Sequence, residues 1–382
     1  MDNQKVTLLT LLDLSAAFDA VPHREFLERL ESDYSITNTA LQWFASYFEN
    51  RSQTVIVNEA SSAPKPLSTG MPQGSGTGPW GYTKYTGPLG MLIRLLCLLY
   101  HMFADDTQLH IALNPNSVTS QSSVKKRLET CVSSISAWMT SNRLKLNSEK
   151  TEFMIIGTRH QLSKMVFSSI NVNGEVVQAR KYVRNLGITF DCEMKMNEHV
   201  TNVTRICFGK IREISSIRRF ITTEVAKTLI QSMVISHLDY GNGLLYGISD
   251  QLLSKLQRVQ NAAARTILGY RKYDHISKGL MQLHWLPIRF RIKFKIAIIT
   301  YKVLSTNQPQ YLRDLLVVQV NRRTLRSDNE TFLKVQKTKL KTAGDRSFSL
   351  AAPKIWNDLP TYVRNAPSLP RFKTKLKTHY LG

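Results

Sequence analysis

Asp13 closes the apolar run Val6–Leu12, and Asp105 and Asp106 sit side by side in Phe103-Ala104-Asp105-Asp106. Seven residues that tolerate burial on both faces predict a strand. Two strand-like stretches, Leu95–Ala104 and Thr107–Leu113, predict a hairpin with the Asp-Asp pair at its tip. Carboxylates carried by a strand end and a hairpin tip can converge. Three on one spot repel strongly unless cations lie between them, and Mg²⁺ is the hard, oxygen-preferring ion that fits. Two such ions about 3.5–4 Å apart clamp the attacking and leaving oxygens of a phosphoryl transfer. The ordinary alternatives are an Asx-turn for the pair and a helix N-cap for Asp13, so the weight falls on the surrounding sequence.

Charge narrows the partner. The chain has 382 residues and a formal net charge of +23, unevenly spread. Residues 1–120 hold 7 Lys and Arg against 11 Asp and Glu, whereas residues 121–382 hold 44 against 17. An acidic part that carries the carboxylates is followed by a polycation whose Lys and Arg run along helices, which suits a groove that tracks a phosphate backbone. The four cysteines at 97, 131, 192 and 207 form no C-x-x-C pair. Neither a zinc knuckle nor a disulfide framework follows, and a reducing, intracellular compartment, nucleus or cytoplasm, is expected. The N-terminus does not read as a signal peptide, and Met91–Tyr100 is too short to span a bilayer, so no membrane partner is expected.

Periodicity predicts helices over Arg24–Leu30, with Phe26, Leu27 and Leu30 inward, and over the aromatic-rich Ala40–Phe48. A short strand at Gln53–Val57 leads to a Pro/Gly/Ser-rich loop, 63–79, after which no long helix is evident. Leu128, Val132, Ile135 and Met139 recur at helical spacing within 121–141, and Leu144–Ile156 returns as a strand. The fold class is therefore α+β, an antiparallel sheet with helices on one face, followed beyond residue 195 by an almost wholly helical region. There Ser249 and Gly269 bracket a helix with Leu252, Leu256, Val259, Ala263 and Ile267 inward and Lys255, Arg258 and Arg265 on another face. Residues 288–304 alternate like a strand at first, but Pro287 at the start and the lapse of alternation favour a helix. Residues 305–348 read as a polar, basic linker or arm, and Ser368–Leu381 as a closing basic helix.

Read in order, five blocks resemble the reverse transcriptases of non-long-terminal-repeat retrotransposons, the jockey-like group in particular. They are Leu12–His23, Gly70–Ser75, Phe103–Leu109, Leu144–Glu152 and Leu186–Asp191 with His199 beyond. Leu286-Pro287 and Ala352–Pro360 are similar to the same family, so the resemblance covers essentially the whole chain. It implies a polymerase palm with partial fingers and primer grip over 1–194, a helical thumb-like region over 195–304 and a basic C-terminal arm over 305–382.

The resemblance also implies roles. Asp13 and Asp105 bridge two Mg²⁺ ions (Mn²⁺ being an alternative), with Asp106 nearby and the Leu14 carbonyl as a further ligand. Phe18 lies under the sugar of the incoming nucleotide and excludes a 2′-hydroxyl by volume, unless it is merely a core ring on a turn. Gln73 and its neighbours, Gly74 among them, hold the nucleotide and the template strand; Gly74–Gly78 lacks the ending of a mononucleotide P-loop. Lys150 either gives a proton to departing pyrophosphate or is a solvated strand-end lysine. Leu186 and Gly187 grip the primer end, and Lys255, Arg258 and Arg265 contact nucleic acid. Asp19 and His23 are read as structural bonds within the turn. The partners are an RNA template, a DNA primer and deoxynucleoside triphosphates, with no obligate protein partner indicated.

Family members carry fingers segments and usually an endonuclease ahead of the first block. Those segments, and a ribonuclease H block, are expected to be missing here, which impairs catalysis. Two readings therefore stand: an RNA-directed DNA polymerase with weakened activity, and a nucleic-acid-binding remnant that has lost catalysis. A group-II-intron-like maturase needs a binding module not seen in the sequence.

Overall fold

Strand β1 (Val6–Ser15) is the axis of the N-terminal half, and its residues alternate between a buried face and a half-open one. Val6, Leu8, Thr10, Leu12 and Leu14 are buried, while Leu9, Leu11 and Asp13 look the other way. The expectation of burial on both faces is corrected: one face is closed by helices, and Asp13 lies two residues inside the strand end rather than at it. The computed structural model of the protein describes residues 4–15, 17–72, 74–271, 273–319, 332–337 and 344–382. These residues form two compact units, Gln4–Val183 and Arg184–Gly382.

In the first unit, α1 (His23–Tyr34) buries Phe26 and Leu30, with Leu27 half-buried, and α2 (Asn38–Phe48) buries only Phe48. The strand expected at Gln53–Val57 is instead two short pieces of a folded-back ribbon. β2 (Ser52–Gln53) and β3 (Ile56–Val57) pair with β5 (Lys65–Pro66) and β4 (Ala60–Ser61) respectively. Asn58 and Glu59, both at positive φ, supply the tight turn between them.

A larger departure follows. The stretch read as running on without a long helix becomes α3 (Gly78–Leu95), eighteen residues that include Pro79 in the first turn and Pro88 inside. Its glycines and prolines lower intrinsic helicity, so the pattern hid it. Packing supplies the stability instead: Tyr82, Tyr85, Leu89 and Ile93 are buried, and a side chain at Gly90 would run into the Tyr100 hydroxyl.

β6 (Leu99–Phe103) and β7 (Asp106–Leu113) form the expected hairpin. α4 (Val118–Ser141) follows with Leu128, Val132, Ile135 and Met139 fully buried, and β8 (Lys145–Ile156) completes the sheet. The order is β6-β7-β1-β8, and every pairing is antiparallel. α3 and α4 pack on the face that carries Leu8, Leu109 and Phe153. An additional hairpin, Ser169–Val172 with Glu175–Gln178, turns at Asn173-Gly174.

The second unit is helical, as expected. Its longest helices are Asn197–Ile217, Asp250–Leu268 and Ile288–Thr306. The Ser249 hydroxyl accepts from Leu252 N, and Gly269 ends the second helix in the left-handed region. Ile288, Ile292, Ile296, Thr300 and Val303 are its neighbour's buried stripe, which resolves the ambiguous segment as helix. No helix among the described residues is long and apolar enough to cross a membrane, and the four cysteines are free.

The expected linker is corrected in part. Residues 320–331 and 338–343 lie outside the described residues, but the pieces around them are held. Leu316 and Leu333 are buried, and the Asn357 side chain bonds both backbone groups of Leu333, donating to its carbonyl at 2.8 Å and accepting from its N–H at 2.9 Å. Asn357→Ala leaves that buried peptide unpaired and should cost roughly 1–3 kcal/mol. Urea denaturation checks this against the exposed neighbour Lys337→Ala, which should cost nothing measurable.

Candidate active site

The β1–β7 ladder runs in register to Leu12 opposite Thr107. The next residues outward are Asp13 and Asp106, on the half-open face of their strands, and Asp105 follows at the hairpin tip. Their mutual field shows in Asp106, whose carboxyl is pushed up from its ordinary value by burial first and by the charges of Asp105 and Asp13 after it. Asp13 Oδ2 is buried and accepts no hydrogen bond.

The nearest counter-charge is Lys150, with Nζ at 3.7 Å from Asp13 Oδ2. A bulge puts it there. Leu11 pairs with Glu152 and Asp13 with Asn147, so β8 spends extra residues over a short step of β1. Asn147 organises the bulge, its side chain accepting from Lys150 N at 3.2 Å and its carbonyl from the Thr151 hydroxyl at 2.8 Å. Lys150 is thus neither at a strand end nor apart from the carboxylates.

A cavity of about 380 Å³ opens beside Asp105, walled by Leu14, Phe18, Gly74 and Pro79. Phe18 is stacked on Tyr82 of α3, with centroids 4.6 Å apart and planes 22° apart. Gly74 has φ +79°, which a side chain resists, and nothing crowds the space where a Cβ would stand. Gln73 lies outside the described residues. The loop is tied to the turn after β1: Gly70 N donates to Val21 O and Met71 N to Phe18 O, both at 2.8 Å. His23 Nε2 is 2.9 Å from Gly70 O, in keeping with its reading as a structural bond. Leu14 is paired with Leu146 and buried.

Two residues escaped sequence reasoning. Ser75 ties three segments together, receiving the Tyr47 hydroxyl at 2.8 Å, donating to Pro72 O at 2.8 Å and accepting from Gly78 N at 2.9 Å. Tyr82 has a buried hydroxyl with no hydrogen-bond partner, and burial together with Asp105 pushes its ionisation up. A helix recognised from Gly78 onward would have placed Tyr82 under Phe18.

In the second unit, Leu186 and Gly187 form a positive-φ turn before the strand Ile188–Asp191. The Tyr240 hydroxyl donates to Leu186 O at 2.6 Å, and a Cβ on Gly187 would meet the Tyr240 ring at 3.3 Å. Asp191 accepts from the N–H groups of Glu193, Lys195 and Met196 just beyond. His199 is buried nearby, and burial lowers its pKa. Arg258 is exposed and Lys255 half-buried, but Arg265 is turned to its own loop, donating to Asp274 O at 3.1 Å.

Among the described residues no three His, Cys, Asp or Glu side chains are drawn into a metal-binding cage. The donor chemistry still suits a hard divalent cation: carboxylate oxygens on one side of a sheet, one of them buried and accepting no hydrogen bond.

A carboxylate-bearing antiparallel sheet backed by helices, with a cavity at its edge, is the arrangement of a polymerase palm. Residues 1–190 match the reverse transcriptase (RNA-dependent DNA polymerase) family, a family that uses divalent metal ions, and the chain belongs to it. Within that family it is jockey-like and of the non-long-terminal-repeat kind. It is 23% identical over 278 residues to the RNA-directed DNA polymerase from mobile element jockey of Drosophila melanogaster. It is 24% identical over 279 residues to a probable RNA-directed DNA polymerase from transposon BS of the same organism. Each match covers 70% of this chain but only 29% of the relative. The structure of apo telomerase from Candida tropicalis aligns with 81% of this chain and 52% of its own, at 10% identity and a TM-score of 0.37.

Because Asp106 holds its proton more tightly in the fold than in the unfolded chain, its ionised form costs stability at neutral pH. That cost fades as pH falls through the raised value towards the ordinary carboxylate range. Asp106→Asn should therefore raise Tm modestly at pH 7 in metal-free buffer, and the gap from wild type should close near pH 4. A gap that persists in acid would show that repulsion is not its source.

Proposed function

We propose that this chain synthesises DNA on an RNA template, transferring deoxynucleotides to a DNA primer. The observation that carries the reading is the meeting of Asp13, Asp105 and Asp106 beside a cavity walled by the Phe18 ring. Asp13 and Asp105 would hold two Mg²⁺ ions, with Asp106 and the Leu14 carbonyl adjoining and Mn²⁺ as a substitute. Such a metal pair supplies charge stabilisation to the attacking 3′-oxygen and to the leaving pyrophosphate. Phe18, braced from behind by Tyr82, fills the volume a 2′-hydroxyl needs. Lys150 stands close enough to the carboxylates to offer a proton to pyrophosphate as it departs. Gln73 and Gly74 hold the nucleotide, Leu186 and Gly187 bear on the primer end, and Lys255, Arg258 and Arg265 follow the duplex backbone.

One observation favours the second reading, binding without turnover. Among the described residues that line the cavity, the charged ones are Asp19 and Asp105, and none is Lys or Arg. A triphosphate there meets no Lys or Arg among those lining residues, and positioning contributes roughly 7–11 kcal/mol of barrier reduction in well-ordered sites.

The isolated chain should therefore extend oligo(dT) on poly(rA) feebly, yet measurably above Asp105→Asn. Extension no better than that variant would instead favour binding without catalysis. Phe18→Ala should raise ribonucleotide incorporation relative to deoxynucleotide by about tenfold or more. Affinity for an RNA–DNA duplex should fall log-linearly with salt, at roughly −0.7 to −0.9 per phosphate contacted. A flat salt response would assign the basic helices to another kind of partner.

A further inference from the structure

α2 and the start of α3 bring four aromatic rings to the surface of the first unit. Trp43 and Tyr47 lie with planes 13° apart and centroids at 5.8 Å, and Phe44 and Trp80 with planes 9° apart at 5.3 Å. The two parallel pairs are joined edge-on through Trp43 and Phe44, at 5.0 Å and 85°. Phe44 and Tyr47 are half-buried against the core, and the two tryptophans extend the cluster outward. Of all the residues in α2 only Phe48 is buried, while Trp43 is 51% exposed and Trp80 39%.

Two cations are laid on the rings. The Arg51 guanidinium sits 4.8 Å from the Tyr47 centroid, and Lys84 Nζ 4.4 Å from that of Tyr34 and 5.7 Å from that of Trp80. They are two of only seven Lys and Arg residues in the first 120, a segment otherwise acidic. The cluster is also tied to the cavity loop, since the Tyr47 hydroxyl bonds Ser75 Oγ, one residue from Gly74.

From this we infer a binding site for single-stranded nucleic acid: bases pack on the exposed parts of the Trp43 and Trp80 rings, and Arg51 and Lys84 neutralise the phosphates between them. Parallel rings interleaved with cations suit a strand of planar, anionic units, and stacking of this kind is indifferent to sequence. Rings and Arg also anchor protein interfaces; what favours a nucleic-acid strand here is the pairing of the rings with two cations in a segment that is otherwise acidic. The inference rests on the RNA-templated reading above, for which the strand is the unpaired template beside the cavity.

The test is the anisotropy of a labelled twelve-residue oligo(rU) titrated with the full chain in EDTA, without nucleotides, beside an abasic strand of equal length. Trp43→Ala and Trp80→Ala should each weaken oligo(rU) binding roughly tenfold and leave the abasic strand nearly unaffected. Trp43→Phe, which keeps a ring, should recover most of the loss, and circular dichroism should show all three variants folded. Equal binding by the Ala variants and wild type, or an equal loss on both strands, overturns the inference. So does a change confined to self-association, which would mark the rings as a protein interface. Because the assay needs no catalysis, a chain that stacks RNA but cannot extend a primer loses only the catalytic reading. One that extends a primer but shows no ring-dependent binding loses only the platform.

Discussion

The placement of β1 between β7 and β8 is the constraint on which the first unit depends. Its register is fixed from the buried side, where Leu8 pairs with Ile111 on one flank and Ile155 on the other. A slip of one residue would turn Leu8, Leu12 and Leu14 outward and press Asp13 against α4, which the core does not permit. The same pairing therefore builds the hydrophobic layer and sets Asp13 beside Asp106. The carboxylates are precise because apolar residues two positions away have no alternative.

That precision carries an electrostatic cost. Three carboxylates in one field raise the energy of the ionised state, and Asp106 shows it. Lys150 offsets part of this from a bulge that has no other evident use for three additional residues. The carboxylates lie in the acidic first 120 residues while the positive charge lies beyond them, so the sequence separates the part that attracts hard cations from the part that attracts polyanions.

Much of this could be read from the sequence, and the failures have separate causes. Asp13, Asp105 and Asp106 were legible because apolar runs flank them, and so was α4, whose stripe keeps helical spacing without a breaker. The helix of Asp250–Leu268 carries both its caps in plain view. α3 was illegible because its residues individually favour turns and only tertiary contacts make it a helix. The position of Lys150 depends on a bulge, which breaks the period of two that strand reading uses. By contrast, the hairpin at Asn173-Gly174 was overlooked although that dipeptide is among the plainest turn signals in the chain.

The composition of α3 has a further consequence, in the order of events. A helix with four glycines and two prolines among eighteen residues does not persist on its own in water. Its helical form depends on contacts with the hairpin and α4, so the wall of the cavity is less self-sufficient than the sheet that carries the carboxylates. By the same logic it is the first part to let go, and amide protons of α3 should exchange through small openings that leave β1 and β7 closed.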